Sequence, residues 1–250
     1  MAAQSHRREA RKLEAVRLAI DASIRGRLVR RYKRFLADIE TDSGDLITVH
    51  CPNPGSMRGT DRPGSAVRCS TSENPKRKLR HTLEMIRVGR IWVGLHTLRA
   101  NQVAALALAA GAIPGLRGYA NLEREVTASK GSRLDFTLEG HPHDGRRAWV
   151  EVKSVTFAEG TTALFPDAVS ERARRHLETL TALHQAGDRA VLLYIVQRAD
   201  CTKVEAAHEI DPAYASALEE AARAGVEIRA VRARVRATEI RLEKSLPVVV

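Results

Sequence analysis

Ser132-Arg133-Leu134-Asp135-Phe136-Thr137-Leu138 and, sixteen residues after Asp135, Glu151 within Ala148-Trp149-Val150-Glu151-Val152-Lys153-Ser154-Val155-Thr156 decide how this chain is read. The first run alternates, which predicts a half-buried strand with Leu134, Phe136 and Leu138 on one side and Asp135 on the other. Between the runs, Gly140-His141-Pro142-His143-Asp144-Gly145 supplies turn formers. In the second run Glu151 and Lys153 are two apart and share one face of a strand. The expectation is a pair of neighbouring strands that carries two carboxylates and an ammonium.

Carboxylates on adjacent strands, Asp135 and Glu151, suit Mg²⁺, a hard cation that takes oxygen ligands and keeps several waters while a phosphate occupies another position. Such a cation acidifies a water and polarises the phosphate, and Mn²⁺ can stand in for it. Lys153, beside two carboxylates, is expected to stay charged, orienting the attacking water and stabilising charge at phosphorus. The same short pattern also arises as a cross-strand ion pair on a solvated sheet, so the surrounding elements matter.

Leu98 to Ala110 is apolar nearly all round and ends at Gly111 with Pro114 beyond, which predicts a buried helix. Phe165-Pro166-Asp167 opens a second helix through Leu183, with Asp167 able to cap it. Arg189 to Gln197 reads as a buried strand, Asp211-Pro212 starts a last helix running towards Gly225, and Val226 to Val235 reads as a strand. The order of helix, three strands, helix, strand, helix and strand predicts an α/β sandwich around a mixed sheet. On the second helix an inward stripe drawn through Val169, Ala173, Leu177, Leu180 and His184 brings Arg172 and His176 beside it. Arg172 is then placed to hold a phosphate and His176 to bond a phosphate oxygen or a metal-bound water; the alternative is a pair bonded to sheet carbonyls or Asp167.

Upstream, Gly26 to Ile39, Leu46 to His50, Ala66 to Ser70, Leu79 to Val88 and Ile91 to His96 read as five strands, punctuated by Gly44, Pro52 with Asn53-Pro54-Gly55, and Pro63-Gly64. Five such strands fit an OB-like barrel or another small barrel. Asn53-Pro54-Gly55-Ser56 is either a phosphate-approaching loop or a tight turn, and Arg58 beside it is a further cation.

With 41 Lys and Arg against 30 Asp and Glu, the net charge is +11 and the pI near 10.1, which favours an anionic partner. The excess clusters: residues 1 to 40 hold eleven basic against five acidic residues, and 76 to 90 six against one. Arg27, Arg30, Arg31, Lys33, Arg34, Lys76, Arg77 and Lys78 of the barrel, together with Arg172, are the candidate DNA-phosphate contacts. Ten aromatic residues, with Tyr32, Phe35 and Trp92 in the barrel, exclude a broad base-stacking platform. Phosphate-dominated binding with little sequence readout and steep salt dependence follows.

The longer runs resemble a known family. Gly26 to Ala37, Asn53 to Met57, Lys76-Arg77-Lys78-Leu79, Ser132 to Phe136, Val150 to Thr156 and Phe165 to Arg172 with His176-Leu177 resemble the sugar fermentation stimulation protein A family, within the PD-(D/E)xK nuclease-like superfamily. The resemblance spans about nine-tenths of the chain and implies an N-terminal OB-like five-stranded barrel, a C-terminal PD-(D/E)xK nuclease-like α/β sandwich with a mixed sheet, DNA binding, and a part in regulating sugar (maltose) metabolism. The wider superfamily often supplies a further Glu from the helix before the sheet. Here that helix offers Asn101 and Gln102, which leaves Glu125 as the nearest acidic substitute beside Asp135 and Glu151. Expected boundaries are a basic extension over 1–22, the barrel over 23–96 and the nuclease-like domain over 97–250.

Three cysteines, Cys51, Cys69 and Cys201, form no close-spaced metal motif and suit a reducing compartment. His141 and His143 lack further ligands for zinc. No run approaches a membrane span and no apolar signal core opens the chain, so a cytoplasmic or nucleoid location is expected. Residues 6–20 read as a weakly amphipathic basic helix or a frayed tail, and Arg232, Arg234 and Arg236 as protection for an edge strand or a DNA-facing row.

Overall fold

The computed structural model describes residues 11–129 and 132–250. Its barrel is built from β2 (Ile24–Tyr32), β3 (Leu36–Thr41), β4 (Leu46–His50), β5 (Ala66–Thr71) and β6 (His81–Val88), with β7 (Ile91–Gly94) added to β6. The order is β4-β3-β2-β5-β6-β7, and a parallel contact between His50 and Thr82 joins β4 to β6, closing five strands into an OB barrel. Its interior holds Leu28, Ile39, Val49, Cys51, Met57, Cys69, Leu83 and Ile86.

The expected strand Gly26 to Ile39 is in fact a hairpin, β2 turning into β3 through Lys33 and Arg34 at φ 46° and 65°. Neither residue is a glycine or asparagine, the usual occupants of left-handed turn positions, so the sequence carries no turn signal there. Carbonyls elsewhere hold the turn: Arg31 Nη2 donates to Arg34 O (3.0 Å), Asn53 O (3.0 Å) and Gly55 O (2.8 Å), and Arg34 Nε donates to Pro54 O (2.9 Å).

The second sheet has the order β1-β16-β15-β13-β10-β9-β8. Its members are β1 (Arg17–Ala19), β8 (Asn121–Ser129), β9 (Ser132–Glu139), β10 (Ala148–Val155), β13 (Arg189–Val196), β15 (Glu227–Val235) and β16 (Glu239–Leu246). β10, β13 and β15 run parallel, and the rest pair antiparallel. The parallel joins need crossovers, which are α2 (Glu171–Gln185) and α3 (Pro212–Arg223). A small sheet of β11 (Ala158–Glu159), β12 (Thr162–Phe165), β14 (Lys203–Ala206) and β17 (Val248–Val249) flanks them.

The helix α1 (Leu98–Ala109) covers one face, burying Val103, Ala104 and Leu108 with Phe136, Val150, Val152 and Leu193. On the other face α2 and α3 bury Leu177, Leu180 and Leu218 with Trp149, Leu192 and Tyr194. Because β13 is covered on both faces, its sequence is a continuous apolar run rather than an alternation.

Four expectations change. β15 is an interior strand, since β16 pairs along it; Arg232 Nε and Arg234 Nε both bond to Glu243 of β16 instead of guarding an edge. Ser170 caps α2, its Oγ accepting from Ala173 N, whereas Asp167 lies three residues earlier. Leu13, Val16 and Ile20 are buried in the core under α1, and β1 extends the second sheet, so residues 13–22 belong to this domain. Residues 6–10 of the expected helix lie outside the described residues.

The last change concerns the decisive strand. Phe136 and Leu138 join the core under α1, but Leu134 joins the opposite core with Trp149 and Leu177. β8 makes the same change, Leu122 packing against the first core and Val126 against the second, with Glu125 at φ 55° between them. The hairpin end thus rolls towards α2, where Ser132 Oγ meets Thr179 Oγ1 at 3.0 Å. A period of two describes a strand only while it stays on one pleat.

Candidate metal and nucleic-acid site

The β9–β10 ladder pairs Ala148 with Leu138, Trp149 with Thr137 and Val150 with Phe136. Where it ends, the side chain of Asp135 takes over: its Oδ2 accepts from Val152 N at 2.7 Å and its Oδ1 from Asn101 Nδ2 at 2.6 Å. On β10, Glu151 Oε1 accepts from Lys153 Nζ (2.7 Å) and from His176 Nδ1, which α2 brings down onto the sheet. Lys153 Nζ and His176 Nδ1 are 3.1 Å apart. Glu151, Lys153 and His176 are therefore one hydrogen-bonded cluster, with Asp135 beside it through Val152 N and within reach of the Glu151 charge.

Glu151 is 3% exposed. Burial opposes its charge, yet Lys153, foremost, and His176 hold its carboxyl below the usual carboxylate range. Asp135 goes the other way: burial, reinforced by the charge of Glu151, pushes its carboxyl up to about 7. The second oxygen of Glu151, Oε2, is buried and accepts no hydrogen bond among the described residues. An orphaned carboxylate oxygen beside a second carboxylate whose ionisation is suppressed is the electrostatic situation that a cation relieves. The all-oxygen donor set fits a hard divalent ion. Among the described residues no three His, Cys, Asp or Glu side chains enclose a metal on their own, so Asp135 and Glu151 would share the ion with other oxygen ligands.

Glu125 does not supply a third carboxylate at the cluster. It stands across from Asp135 but is exposed and paired with Arg133 at 3.3 Å. Asn101 reaches Asp135 instead, while Gln102 accepts from Arg99 Nη1 at 2.9 Å. The wheel placement of Arg172 also changes: His176 is buried but Arg172 is exposed. The stripe starts at Val169, which precedes the helix and is itself 69% exposed, so its phase is set by a residue outside α2.

Through Lys153, bonded to Glu151, and Asn101, bonded to Asp135, the cluster borders a cleft of about 280 Å³ lined by both domains, with Arg34, Asn53 and Gly55 on the barrel side facing Asn101, Lys153 and Asp167. The Asn53-Pro54-Gly55-Ser56 loop is a clasp between them: Met57 N donates to Asp167 Oδ2 at 2.9 Å, Ser56 Oγ donates to Asp167 O, and Thr97 Oγ1 donates to Pro52 O at 3.0 Å. Asp167 is legible as a polar residue with a task, but its partner is 110 residues away in sequence, beyond local reading. Gly55 is where the approach is closest, since a Cβ there would lie 2.2 Å from Asp167 Oδ1. Gly55→Ala is expected to lower stability by about 1–3 kcal/mol, the usual range for overpacking. Its urea midpoint checks this, and an unchanged midpoint would rule out the clasp.

Several barrel cations already hold neighbouring oxygens. Arg31 is bound to loop carbonyls, Arg30 Nε to Asp38 at 2.7 Å, Arg27 Nη1 to Gly64 O at 3.0 Å, and Arg77 Nη2 to Thr82 Oγ1 at 3.0 Å. Apart from half-buried Arg31 these cations are exposed, as are Lys33, Arg34, Lys76, Lys78 and Arg172. All three cysteines are free and buried. Among the described residues no helix is long and apolar enough to cross a membrane.

Two family descriptions match this chain, "SfsA N-terminal OB domain" over residues 29–95 and "Sugar fermentation stimulation protein RE domain" over 98–239. A sugar fermentation stimulation protein homolog of Halorhodospira halophila is 53% identical over 225 residues, covering 89% of this chain and 93% of that protein. A homolog from Geobacter sulfurreducens is 47% identical over 223 residues, covering 89% and 94%. Among solved structures, Pyrococcus furiosus SfsA in complex with Ca²⁺ superimposes with a TM-score of 0.84 at 26% identity, covering 92% of this chain and 98% of that one.

Proposed function

The chain belongs to the sugar fermentation stimulation protein family, and from that premise we propose that it is a cytoplasmic DNA-binding protein whose barrel cations hold phosphates beside a divalent-cation site at Asp135 and Glu151. The observation that carries this reading is the placement of Lys153, bonded to the buried Glu151 carboxylate, at a cleft whose other wall is the barrel's Arg34 turn. Binding is phosphate-dominated and weakly selective for sequence, and any regulatory effect on sugar (maltose) metabolism acts through it.

The Ca²⁺ complex of the P. furiosus relative supports a divalent cation in this family, and Mg²⁺, with Mn²⁺ as substitute, is the ion proposed here. When bound, such a cation supplies Lewis acidity and an acidified water. Glu151 stays ionised to receive it, and Asp135 gives up its proton to do so. His176 fixes the Glu151 carboxylate by its Nδ1 contact, and Lys153 holds a positive charge at the cleft.

Exposed Lys76 and Lys78 test the phosphate contacts. Replacing both with alanine should flatten the plot of log affinity against log salt by about 0.9 for each phosphate that is no longer neutralised. Fluorescence anisotropy across a salt series measures it, and an unchanged slope would exclude this loop from the interface.

A second reading, Mg²⁺-dependent phosphodiester cleavage through Asp135, Glu151 and Lys153, is favoured by the orphaned Glu151 oxygen and the nearby ammonium. It is tested by incubating duplex, single-stranded, branched and supercoiled DNA with Mg²⁺ or Mn²⁺, alongside Asp135→Ala and Lys153→Ala. Cutting abolished by both substitutions supports an enzyme; salt-sensitive binding with no cutting on any of these substrates supports a binding protein on a nuclease-like scaffold.

A further inference from the structure

We propose that the nucleic acid entering this site is single-stranded DNA, one unpaired nucleotide at a time, rather than an intact duplex. The inference rests on the DNA-binding reading above and specifies the form of DNA that enters the cleft lined by Lys153. Glu151 is almost wholly buried behind Lys153, which lines a cleft of about 280 Å³. That is below or at the small end of ordinary ligand pockets, room for one nucleotide-sized group. Proteins that seat a base in a pocket take it from a strand that is already single, or extrude it from the stack.

The cleft resists widening. One wall is barrel loop and the other is the 165–170 segment, tied together by Met57 N and Ser56 Oγ on Asp167, with Thr97 Oγ1 on Pro52 O closing the base. Parting the walls for a duplex would break these hydrogen bonds, whereas a single nucleotide seats in the cleft with them intact.

The lining suits an unpaired nucleotide. Leu98 and Val169 both line the cleft and are 62% and 69% exposed, and Phe35, next to Arg34, is 45% exposed. Single exposed apolar residues are ordinary; here two belong to one cleft that also offers Arg34 and Lys153. A strand offers both partners these groups need, a base face for the apolar residues and a phosphate for the cations, while a duplex presents phosphates with its bases stacked inside. The scarcity of aromatic residues limits this to a single seat and agrees with the absence of a long stacking platform.

The test is anisotropy with a labelled short single strand, a blunt duplex of the same sequence, and that duplex with a single-stranded overhang, in Ca²⁺ and at one salt concentration. The full chain is compared with Leu98→Asp and Val169→Asp, exposed positions where substitution is tolerated. The strand and the overhang should bind about tenfold more tightly than the blunt duplex, in line with one seated base, and each substitution should bring that ratio towards one. Blunt duplex bound as tightly as the strand, or a ratio that neither substitution changes, would overturn the inference while leaving DNA binding standing. If no DNA binds, the functional reading itself falls, and this inference with it.

Discussion

Asp135→Asn is expected to remove divalent-cation binding and, in the absence of the cation, to make the protein more stable than the natural one. The carboxyl of Asp135 is pushed up to about 7 by burial and by Glu151, against about 3.9 for an unfolded aspartate. Between those values the folded state keeps a proton that the unfolded chain has released. Stability attributable to this group therefore falls as pH rises through the window, and above about 7 the full penalty of a buried charge beside Glu151 is present. Asparagine carries no such charge, and its Nδ2 is satisfied when Asn101 turns its amide to present Oδ1, which keeps both contacts. In chelator at about pH 8 the variant should exceed the natural protein by a few kcal/mol in urea unfolding, with the difference shrinking to nothing towards about pH 4.

Added Ca²⁺ or Mg²⁺ should reverse that order, because a ligand that binds the folded state stabilises it. For the natural protein, calorimetric cation affinity should fall about tenfold for each pH unit below about 7, as the ion must displace one proton. A natural protein more stable than Asp135→Asn in chelator at about pH 8 would mean that Asp135 is not the suppressed acid described here. Cation affinity unaffected by the substitution would move the metal site elsewhere.

The largest loss of stability is expected at Glu84, which belongs to the barrel but is bonded to the other domain. Its side chain is 1% exposed. Arg99 of α1 donates to both its oxygens, Nη2 to Oε1 at 2.7 Å and Nε to Oε2 at 3.1 Å, and Ser70 Oγ donates to Oε1 at 2.7 Å. Replacing Glu84 with alanine leaves a mostly buried guanidinium without its carboxylate, and breaking a buried pair from one side costs about 3–5 kcal/mol. The loss should appear as a lower urea midpoint, and Glu84→Ala combined with Arg99→Met should recover part of it, since the stranded charge is gone. A single variant within about 0.5 kcal/mol of the natural protein, the range of ordinary surface changes, would refute the joint.

How far the chain can be read follows the range of the interactions involved. α1 ends one residue short of its expected Ala110, β4 coincides with Leu46–His50, and Asp211 caps α3 by accepting from Tyr214 N at 2.9 Å. These features are fixed by neighbours a few residues away: apolar spacing, a cap, a glycine stop. Asp135, Glu151 and Lys153 are legible for the same reason, because strand periods place them towards one another once the elements pair. The β2–β3 turn is not legible, since Lys33 and Arg34 are held at positive φ beside loop carbonyls twenty residues on. Arg172 is misplaced by the wheel because a helical wheel needs a phase, and the phase comes from where α2 starts.

By itself, then, the sequence determined the two-domain order, the principal helices and strands and the cationic bias, carried by composition or by periods short enough to sit within one element, while His176 joined Asp135, Glu151 and Lys153 as a candidate through the family resemblance. Tertiary structure alone decided that Asn101 takes the place of a third carboxylate at Asp135, that Asp167 clasps the barrel loop instead of capping a helix, and that Leu134 crosses to the other core. It also brought residues 13–22 into the second domain's core. In each case the deciding partner lies in a different element, tens of residues away, and is chosen by which buried polar or apolar group is left to satisfy once the layers have packed.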